Sequence, residues 1–111
     1  MIVYNVTVKI DVAAAEDWLA WTRAEHIPLV MSTGCFTAYR LLRIDDDEPE
    51  VDGLTYAVQY TCPDRDTFRR YAAEHAGELQ RRHRERYDNR FIAIRTIMEV
   101  VEEQVVYGSP S

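Results

Sequence analysis

The sequence lacks an apolar run that approaches the roughly 18 residues needed to span a membrane. Residues 1–6 carry neither a basic segment nor a small-residue cleavage site, so we predict a strand there and not a signal peptide. Only two cysteines occur, Cys35 and Cys62, and their spacing fits neither a zinc site nor a redox motif. We therefore expect two free thiols in a cytoplasmic protein that has no membrane partner and no metal site.

Positive charge is also scarce. The chain has 13 Lys and Arg residues against 19 Asp and Glu residues, which gives a net charge of −6 and a pI near 5.0. This excess of negative charge argues against nucleic acid as a partner. A basic run at residues 80–86 is better explained as the end of a helix, where cations are favoured. An acidic run at residues 45–53 lacks the ligand spacing of a calcium loop, and we interpret it as a solvated hairpin loop.

The length of 111 residues and the hydrophobic fraction of 47% predict one globular domain. We place this domain at residues 1–104 and expect residues 105–111 to form a partly disordered tail. Hydrophobic periodicity predicts the order β-α-β-β-α-β, which is the ferredoxin-like α+β arrangement of a four-stranded antiparallel sheet with two helices on one face. The predicted strands cover residues 2–11, 35–44, 54–62 and 91–101.

The first predicted helix has an apolar side with helical spacing, formed by Trp18, Leu19, Thr22, His26 and Leu29. Pro28 has no N–H group and disfavours helical geometry at the residue before it, so we expect the helix to end or kink just after His26. An imidazolium is favoured at a helix end, which suits a functional histidine and equally suits one that caps the last carbonyls. We treat His26 as the candidate catalytic residue and keep the capping role as the alternative.

The second predicted helix begins after Asp64, which is the best N-cap candidate. Its predicted buried side consists of Phe68, Tyr71, Ala72, His75 and Leu79. Residues 17–26 and 66–75 both begin with Asp and end with Ala-Glu-His, as the pseudo-symmetry of two βαβ halves would allow. The repeat indicates that Glu-His can be a structural feature of these helices.

Strand alternation also predicts the face of the sheet that the helices leave uncovered. That face would carry Val3, Asn5, Thr7, Tyr39, Leu41, Gln59, Ile92, Ile94 and Met98. A face this apolar is not left in water, and two-fold homodimers are the commonest oligomers. We therefore predict a homodimer in which two sheets pack face to face.

Two further chemistries have weak support in the sequence. Cys35 and His26 flank the same predicted turn and could form a thiol–imidazole pair, but nothing marks the thiol as reactive. His75 or His83 could ligate haem iron, but neither lies in a haem motif. Phosphate loops and nucleotide fingerprints are missing as well, so we expect no cofactor.

Several stretches of the chain resemble an uncharacterised bacterial family of about this length. The matching stretches are residues 4–7, 18–21, 25–28, 55–60, 95–96 and 98–101, together with Gly34, Phe36 and Thr37. The resemblance covers nearly the whole chain and implies no known activity. More loosely, the predicted fold looks like the dimeric α/β-barrel group, which includes cofactor-free monooxygenases, haem-degrading enzymes and binding proteins. Many members place a His-Xaa-Pro segment beside the pocket, and this resemblance implies that role for His26 and Pro28.

Three hypotheses for the function follow. The first is a dimeric domain that binds a small molecule between helices and sheet, with polar groups supplied by His26, Tyr39, Arg40, Tyr56, Gln59 and Arg95. Each of these also has a structural explanation: a core position for Tyr56, ion pairs for the arginines and a dimer contact for Gln59. The second is a cofactor-free monooxygenase or isomerase-like enzyme in which His26 is the general base. The third is a structural or interaction module without catalysis.

Overall fold

The structure is a computed structural model that describes residues 1–45 and 53–106. Its strands are β1 (Ile2–Ile10), β2 (Ala38–Arg43), β3 (Leu54–Cys62) and β4 (Phe91–Glu99). Its helices are α1 (Val12–Trp21), α2 (Ile27–Ser32), α3 (Arg65–Glu74) and α4 (Ala76–Arg86), and a π-helical turn (Thr22–His26) joins α1 to α2. The strands form one antiparallel sheet in the order β2-β3-β1-β4, and the helices pack on one face of it. This confirms the predicted ferredoxin-like α+β fold.

The register of the central strand β1 decides which side chains face the helices. Val6 pairs with Val58 of β3 and with Arg95 of β4, so these three side chains share the helix-covered face. The neighbouring Asn5 pairs with Gln59 and with Thr96 on the opposite side. We call this opposite side the open face; it comprises Val3, Asn5, Thr7, Lys9, Ala38, Arg40, Leu42, Thr55, Ala57, Gln59, Thr61, Ile92, Ile94, Thr96 and Met98.

The core between helices and sheet is rich in aromatic residues and divides into two clusters. One surrounds Tyr4, whose ring centroid lies 6.2 Å from that of Phe36 and 5.1 Å from that of Phe68. The other surrounds Trp18, which is 1% exposed and stacks on Tyr56 with ring centroids 5.2 Å apart. Each buried aromatic side chain removes about 150–250 Å² from water, so these rings supply much of the hydrophobic stabilisation.

The first helical segment does not end after His26, but it changes geometry there. The N–H of Ile27 bonds to the carbonyl of Thr22, five residues earlier, and the chain continues as α2 with Pro28 in its first turn. Pro28 is tolerated because an N–H group in the first turn of a helix has no carbonyl acceptor within that helix, so its absence costs no hydrogen bond. The π turn contains one residue more than an α-helical turn, so the buried positions after it shift by one. Val30 is therefore buried, whereas the predicted core residue Leu29 is 37% exposed.

The second helical region starts as predicted and then breaks once. The carboxylate of Asp64 accepts a hydrogen bond from the N–H of Thr67 at 2.7 Å, which confirms Asp64 as the N-cap. The backbone leaves helical geometry at His75, between α3 and α4. After this break α4 buries Ala76, Leu79 and His83. The prediction that Ala72 is buried was wrong, because Ala72 is exposed.

Strand β2 corrects part of the predicted uncovered face. Tyr39 pairs with Tyr60 and Leu41 pairs with Val58, so Tyr39 and Leu41 lie on the helix-covered side. The error came from starting the strand at Cys35: Phe36 is buried, but β2 begins only at Ala38, after a bend. Alternation counted from Phe36 therefore does not carry into the strand. Most of the predicted acidic loop and residues 107–111 of the predicted tail lie outside the described residues.

No helix in the described part of the chain is both long and apolar enough to cross a bilayer.

Candidate functional site

A cavity of about 40 Å³ lies between the helices and the centre of the sheet. Its polar lining consists of Tyr4, Trp18, Thr22, His26, Tyr60, Tyr71, Gln80, His83 and Arg95. Its apolar lining consists of Val6, Val8, Val30, Val58, Leu79 and Ala93. Space of this size holds about three water-sized groups, taking roughly 10–15 Å³ for each. Arg95 is exposed and Gln80 is half-buried, so these two side chains mark the side where the cavity meets solvent.

One wall of the cavity is a histidine whose protonation state is fixed by its partner. The indole Nε1 of Trp18 donates a hydrogen bond to Nε2 of His83 at 2.8 Å. Because an indole N–H can only donate, Nε2 of His83 must carry a lone pair, and the ring is neutral with its proton on Nδ1. Burial, followed by the influence of His26 and Arg95, lowers the pKa of His83 to about 4.

His26 occupies the adjacent wall, at the end of the π turn. Its ring stacks on Trp21 with centroids 4.9 Å apart and lies 5.7 Å from the ring of His83. Its Nδ1 is buried without a hydrogen-bond partner among the described residues, and so is Oγ1 of the fully buried Thr22. The helix continues past His26, so its ring does not cap the end of a helix. Burial, and then the positive charge of Arg95, lowers the pKa of His26 to about 4.

Arg95 supplies the positive charge that acts on both imidazoles. It projects from the edge strand β4 toward the helix-covered side, opposite Val6. No ion pair or hydrogen bond joins its guanidinium to any residue between 1 and 45 or between 53 and 106. Its charge contributes to lowering the pKa of His26 and of His83, so the cavity has a positive potential although its histidines are neutral.

Buried phenols complete the polar lining. Burial is the largest cause that raises the pKa of Tyr60 and of Tyr71, so both hydroxyls stay protonated near neutral pH and can donate hydrogen bonds. The cavity therefore combines one imidazole with an unpartnered nitrogen, that of His26, with phenols that can donate a hydrogen bond and one cation at its mouth. Such a set can orient a small polar group and remove a proton from it.

The structure brings together two of the six residues that the sequence suggested for a pocket. His26 and Arg95 both line the cavity. Tyr56 is a core residue stacked on Trp18. Arg40 and Gln59 lie on the open face, where the Arg40 guanidinium donates a hydrogen bond to the Gln59 side chain at 2.9 Å. Tyr39 is 49% exposed and lines a separate surface groove with Leu41, Ala20, Arg23 and Ala24.

Sequence analysis missed His83 as the partner of Trp18 and as a cavity residue. His83 follows Leu79 by four residues, so extending the buried side of the second helix by one turn would have included it. The predicted alternative of a Cys35–His26 pair has no support in the structure. Cys35 is fully buried, and its sulfur accepts a contact from the Arg70 guanidinium at 3.7 Å.

Metal ligands do not cluster at this site. Among residues 1–45 and 53–106, no group of three His, Cys, Asp or Glu side chains is arranged to hold a metal ion. In this part of the chain His26 and His83 therefore have no third His, Cys, Asp or Glu side chain with which to hold a metal ion.

The model of a domain of unknown function (DUF4286) matches residues 1–101. The chain belongs to this family. The match agrees with the resemblance to an uncharacterised family that the sequence suggested. Comparison with curated proteins finds no match in sequence.

Solved structures share the fold at low sequence identity. A dimeric ferredoxin-like protein from an uncultured marine organism has a TM-score of 0.70 at 9% identity, with 96% of this chain and 100% of its own covered. SnoaB, a cofactor-independent oxygenase from Streptomyces nogalater, has a TM-score of 0.60 at 19% identity, with 92% and 95% covered. The haem degrader MhuD from Mycobacterium tuberculosis, with two haems in its active site, has a TM-score of 0.65 at 15% identity, with 95% and 100% covered. Identities this low establish the fold alone.

The cavity in this chain does not fit haem. A volume of about 40 Å³ is far below that of a porphyrin, and Nε2 of His83 already accepts a hydrogen bond from Trp18. The ring of His75 lies outside the cavity lining, next to the carboxylate of Glu74 at 3.9 Å. Neither histidine that the sequence suggested as an iron ligand is therefore placed to bind a haem in this cavity.

Proposed function

We propose that this chain is a homodimeric small-molecule-binding protein and that the ligand inserts a polar group into the cavity beside His26. The observation that carries this proposal is the pair of buried polar atoms without partners, Nδ1 of His26 and Oγ1 of Thr22. Leaving a buried donor or acceptor unsatisfied costs about 1–3 kcal/mol. Two such atoms on residues that line one cavity are explained if a ligand satisfies them.

The size of the cavity limits what the ligand can place inside it. About 40 Å³ accommodates a carbonyl, a carboxyl or a few carbon atoms, so the rest of a larger ligand would extend through the mouth beside Arg95. The apolar side chains of Val30, Val58 and Leu79 suit an uncharged hydrocarbon portion next to the polar group.

Dimerisation is supported by the composition of the open face. Ile92 is 67% exposed, Ile94 is 62% exposed, and Met98 and Leu42 are 39% and 37% exposed on the same side of the sheet. Several exposed apolar side chains on one face of a sheet are typical of an interface. Packing two open faces together around a two-fold axis would bury them and form a barrel from two sheets. A structural neighbour described as a dimeric ferredoxin-like protein has the same fold.

A second candidate function is a cofactor-free monooxygenase or isomerase-like reaction with His26 as general base. It is favoured by the unpartnered Nδ1 of His26, a potential proton acceptor on a residue that lines the cavity. The likeness to SnoaB, a cofactor-independent oxygenase, supports the same candidate at the level of the fold. In the oxygenase reaction the substrate would lose two hydrogens and four electrons to O₂: one oxygen atom would take the place of the two hydrogens in the product, and the other would leave with them as water.

The binding proposal is tested by analysing small molecules released from the purified, untagged protein on denaturation. We expect wild type to release a compound that His26→Phe lacks, because phenylalanine keeps the stacking on Trp21 but removes both ring nitrogens. His75→Phe is the matched control, since His75 lies outside the cavity lining, and it should retain the compound. Release of no compound by wild type, or equal release by all three proteins, would overturn the proposal.

The enzyme candidate needs a different variant. His26→Gln keeps a hydrogen-bonding side chain but has no basic nitrogen, so it should retain the released compound without converting it. Conversion in air is followed by mass, as a gain of oxygen with loss of two hydrogens or as an isomer of unchanged mass. Equal conversion by wild type and His26→Gln would rule out His26 as the base.

A further inference from the structure

We propose that the ligand of the cavity is an organic oxyanion, a molecule with an apolar body and one carboxylate or ionised enol group that Arg95 binds. This inference rests on the proposed binding function and names the chemical class of the ligand. The sheet register carries it, because the pairing of Arg95 with Val6 turns the arginine toward the helices and the cavity.

Among the described residues that line the cavity, Arg95 alone carries a full charge. None of the residues that line it, taken from the described part of the chain, is an aspartate or a glutamate. Arg95 is the cation among them, and no described carboxylate neutralises it. Several other surface arginines do pair with acidic residues: Arg81, for example, binds the carboxylates of Glu78 and Glu85 at 2.6 Å. An unpaired arginine at the mouth of a cavity is positioned to bind an anion.

The positive charge of Arg95 also acts on the two histidines of the cavity. Burial is the main reason that His26 and His83 are neutral, and the charge of Arg95 adds to it. Burial disfavours a charge of either sign, but the part that comes from Arg95 is a positive potential, which favours a negative charge on a ligand at the same place. A bound cation is disfavoured for the same reason.

The neutral groups define the rest of the ligand. The hydroxyl of Thr22 has no described partner and can donate a hydrogen bond to an oxyanion, and the buried phenols of Tyr60 and Tyr71 remain protonated donors. A planar carboxylate or enolate fits a guanidinium, which can bind two oxygen atoms with parallel hydrogen bonds. A phosphate would place a second charge among apolar side chains without a second cation.

The test compares two probes of equal size that differ in charge, propionate and propionamide. Binding to the intact protein is followed by the shift of the Trp18 indole N–H resonance, because this group lines the cavity and bonds to His83. We expect propionate to bind about ten-fold more tightly than propionamide at low salt, as charged hydrogen bonds are stronger than neutral ones. The preference should shrink as salt is added, because Arg95 is exposed.

Variants decide whether Arg95 causes the preference. Arg95→Gln should bind both probes equally, whereas Arg84→Gln, which removes an equal charge from outside the cavity lining, should keep the preference of wild type. Equal binding of both probes by wild type, or a preference that survives in Arg95→Gln, would overturn the oxyanion assignment and leave the binding function standing. Failure of both probes to shift the Trp18 resonance would overturn the assignment too. Failure of the binding function itself would be recognised separately, by wild type releasing no compound on denaturation.

Discussion

The indole nitrogen of Trp18 and the Nε2 atom of His83 are 2.8 Å apart, although 65 residues separate them in the chain. The bond joins α1 to α4 across the cavity, and both side chains are buried, Trp18 at 1% and His83 at 6% exposure. It holds His83 in one neutral tautomer and turns its ring toward Phe91, whose centroid is 4.2 Å away with the rings nearly perpendicular. The cavity wall is therefore built by a hydrogen bond and not by packing alone.

Removing this bond should change both stability and titration. Trp18→Phe leaves Nε2 of His83 without its donor and removes buried indole area, so we expect a loss of about 2–4 kcal/mol in the free energy of unfolding by urea. The pKa of His83 should rise, because the freed lone pair can accept a proton. Trp21→Phe is the control: it also removes an indole but keeps the Trp18–His83 bond, so it should raise the pKa of His83 less. The pKa is measured by NMR of the imidazole nitrogens, and an unchanged value in Trp18→Phe would contradict the structure.

Stability should fall as the pH is lowered from 7.5 to 5.0. The folded-state pKa values of His26 and His83 are about 4, below the value of about 6.5 for an unfolded histidine, so the unfolded chain binds more protons in this range. Each histidine should therefore contribute a loss on the order of 2 kcal/mol by pH 5.0, and the loss from this source should level off only below about pH 3, where the folded protein is protonated as well. The urea midpoint measured at several pH values checks this. His83→Gln should show a shallower dependence than wild type, and an identical slope would contradict the low pKa of His83.

For Thr22 we predict a substitution that does not lower stability. Its hydroxyl is fully buried without a described partner, so Thr22→Val removes an unsatisfied polar group while keeping the shape of the side chain. We expect stability to be unchanged or to rise by up to about 1 kcal/mol, with weaker binding of the released compound or of propionate. A clear loss of stability would mean that the hydroxyl already has a partner in the folded protein.

The open face can be tested with two isoleucines on the same strand. Ile94 is 62% exposed on the open face and Ile97 is 51% exposed on the opposite side of β4. Placing a carboxylate in an apolar interface is costly, so Ile94→Glu should shift the protein from dimer to monomer in analytical ultracentrifugation. Ile97→Glu adds the same charge outside the proposed interface and should remain dimeric. Dissociation of both variants, or of neither, would argue against the open face as the interface.

The sequence predicted β1 and β3 well because both strands alternate without interruption. Their buried residues, Ile2, Tyr4 and Val8 in one strand and Val58 and Tyr60 in the other, fall on the face that alternation assigned. The prediction for β2 failed because it started the strand at Cys35. Phe36 is buried, but it precedes the strand, so the alternation counted from it assigned the strand residues to the wrong faces. Local patterns carry this kind of information only within an uninterrupted element.

The cavity was harder to predict, because it is formed by contacts between residues that are far apart in the sequence. Apart from Pro28, the sequence has no strong signature of the π turn. Yet because of this turn Val30 is buried in place of Leu29, and the ring of His26 stacks on Trp21. The contact of Trp18 with His83 arises only when α1 and α4 pack on the same sheet. His26 was a sequence candidate because of its place at a predicted helix end before Pro28, and Arg95 because it is a polar residue in a predicted strand; the fold brings both to one cavity.

Native mass spectrometry of the purified, untagged chain, compared with its denatured mass, tests the central claim most directly. The account predicts a dimer that carries additional mass, lost on denaturation, with the mass of an organic acid or enol. A monomer would contradict the pairing of open faces. A dimer of bare protein would contradict the claim that the cavity beside His26 retains a ligand.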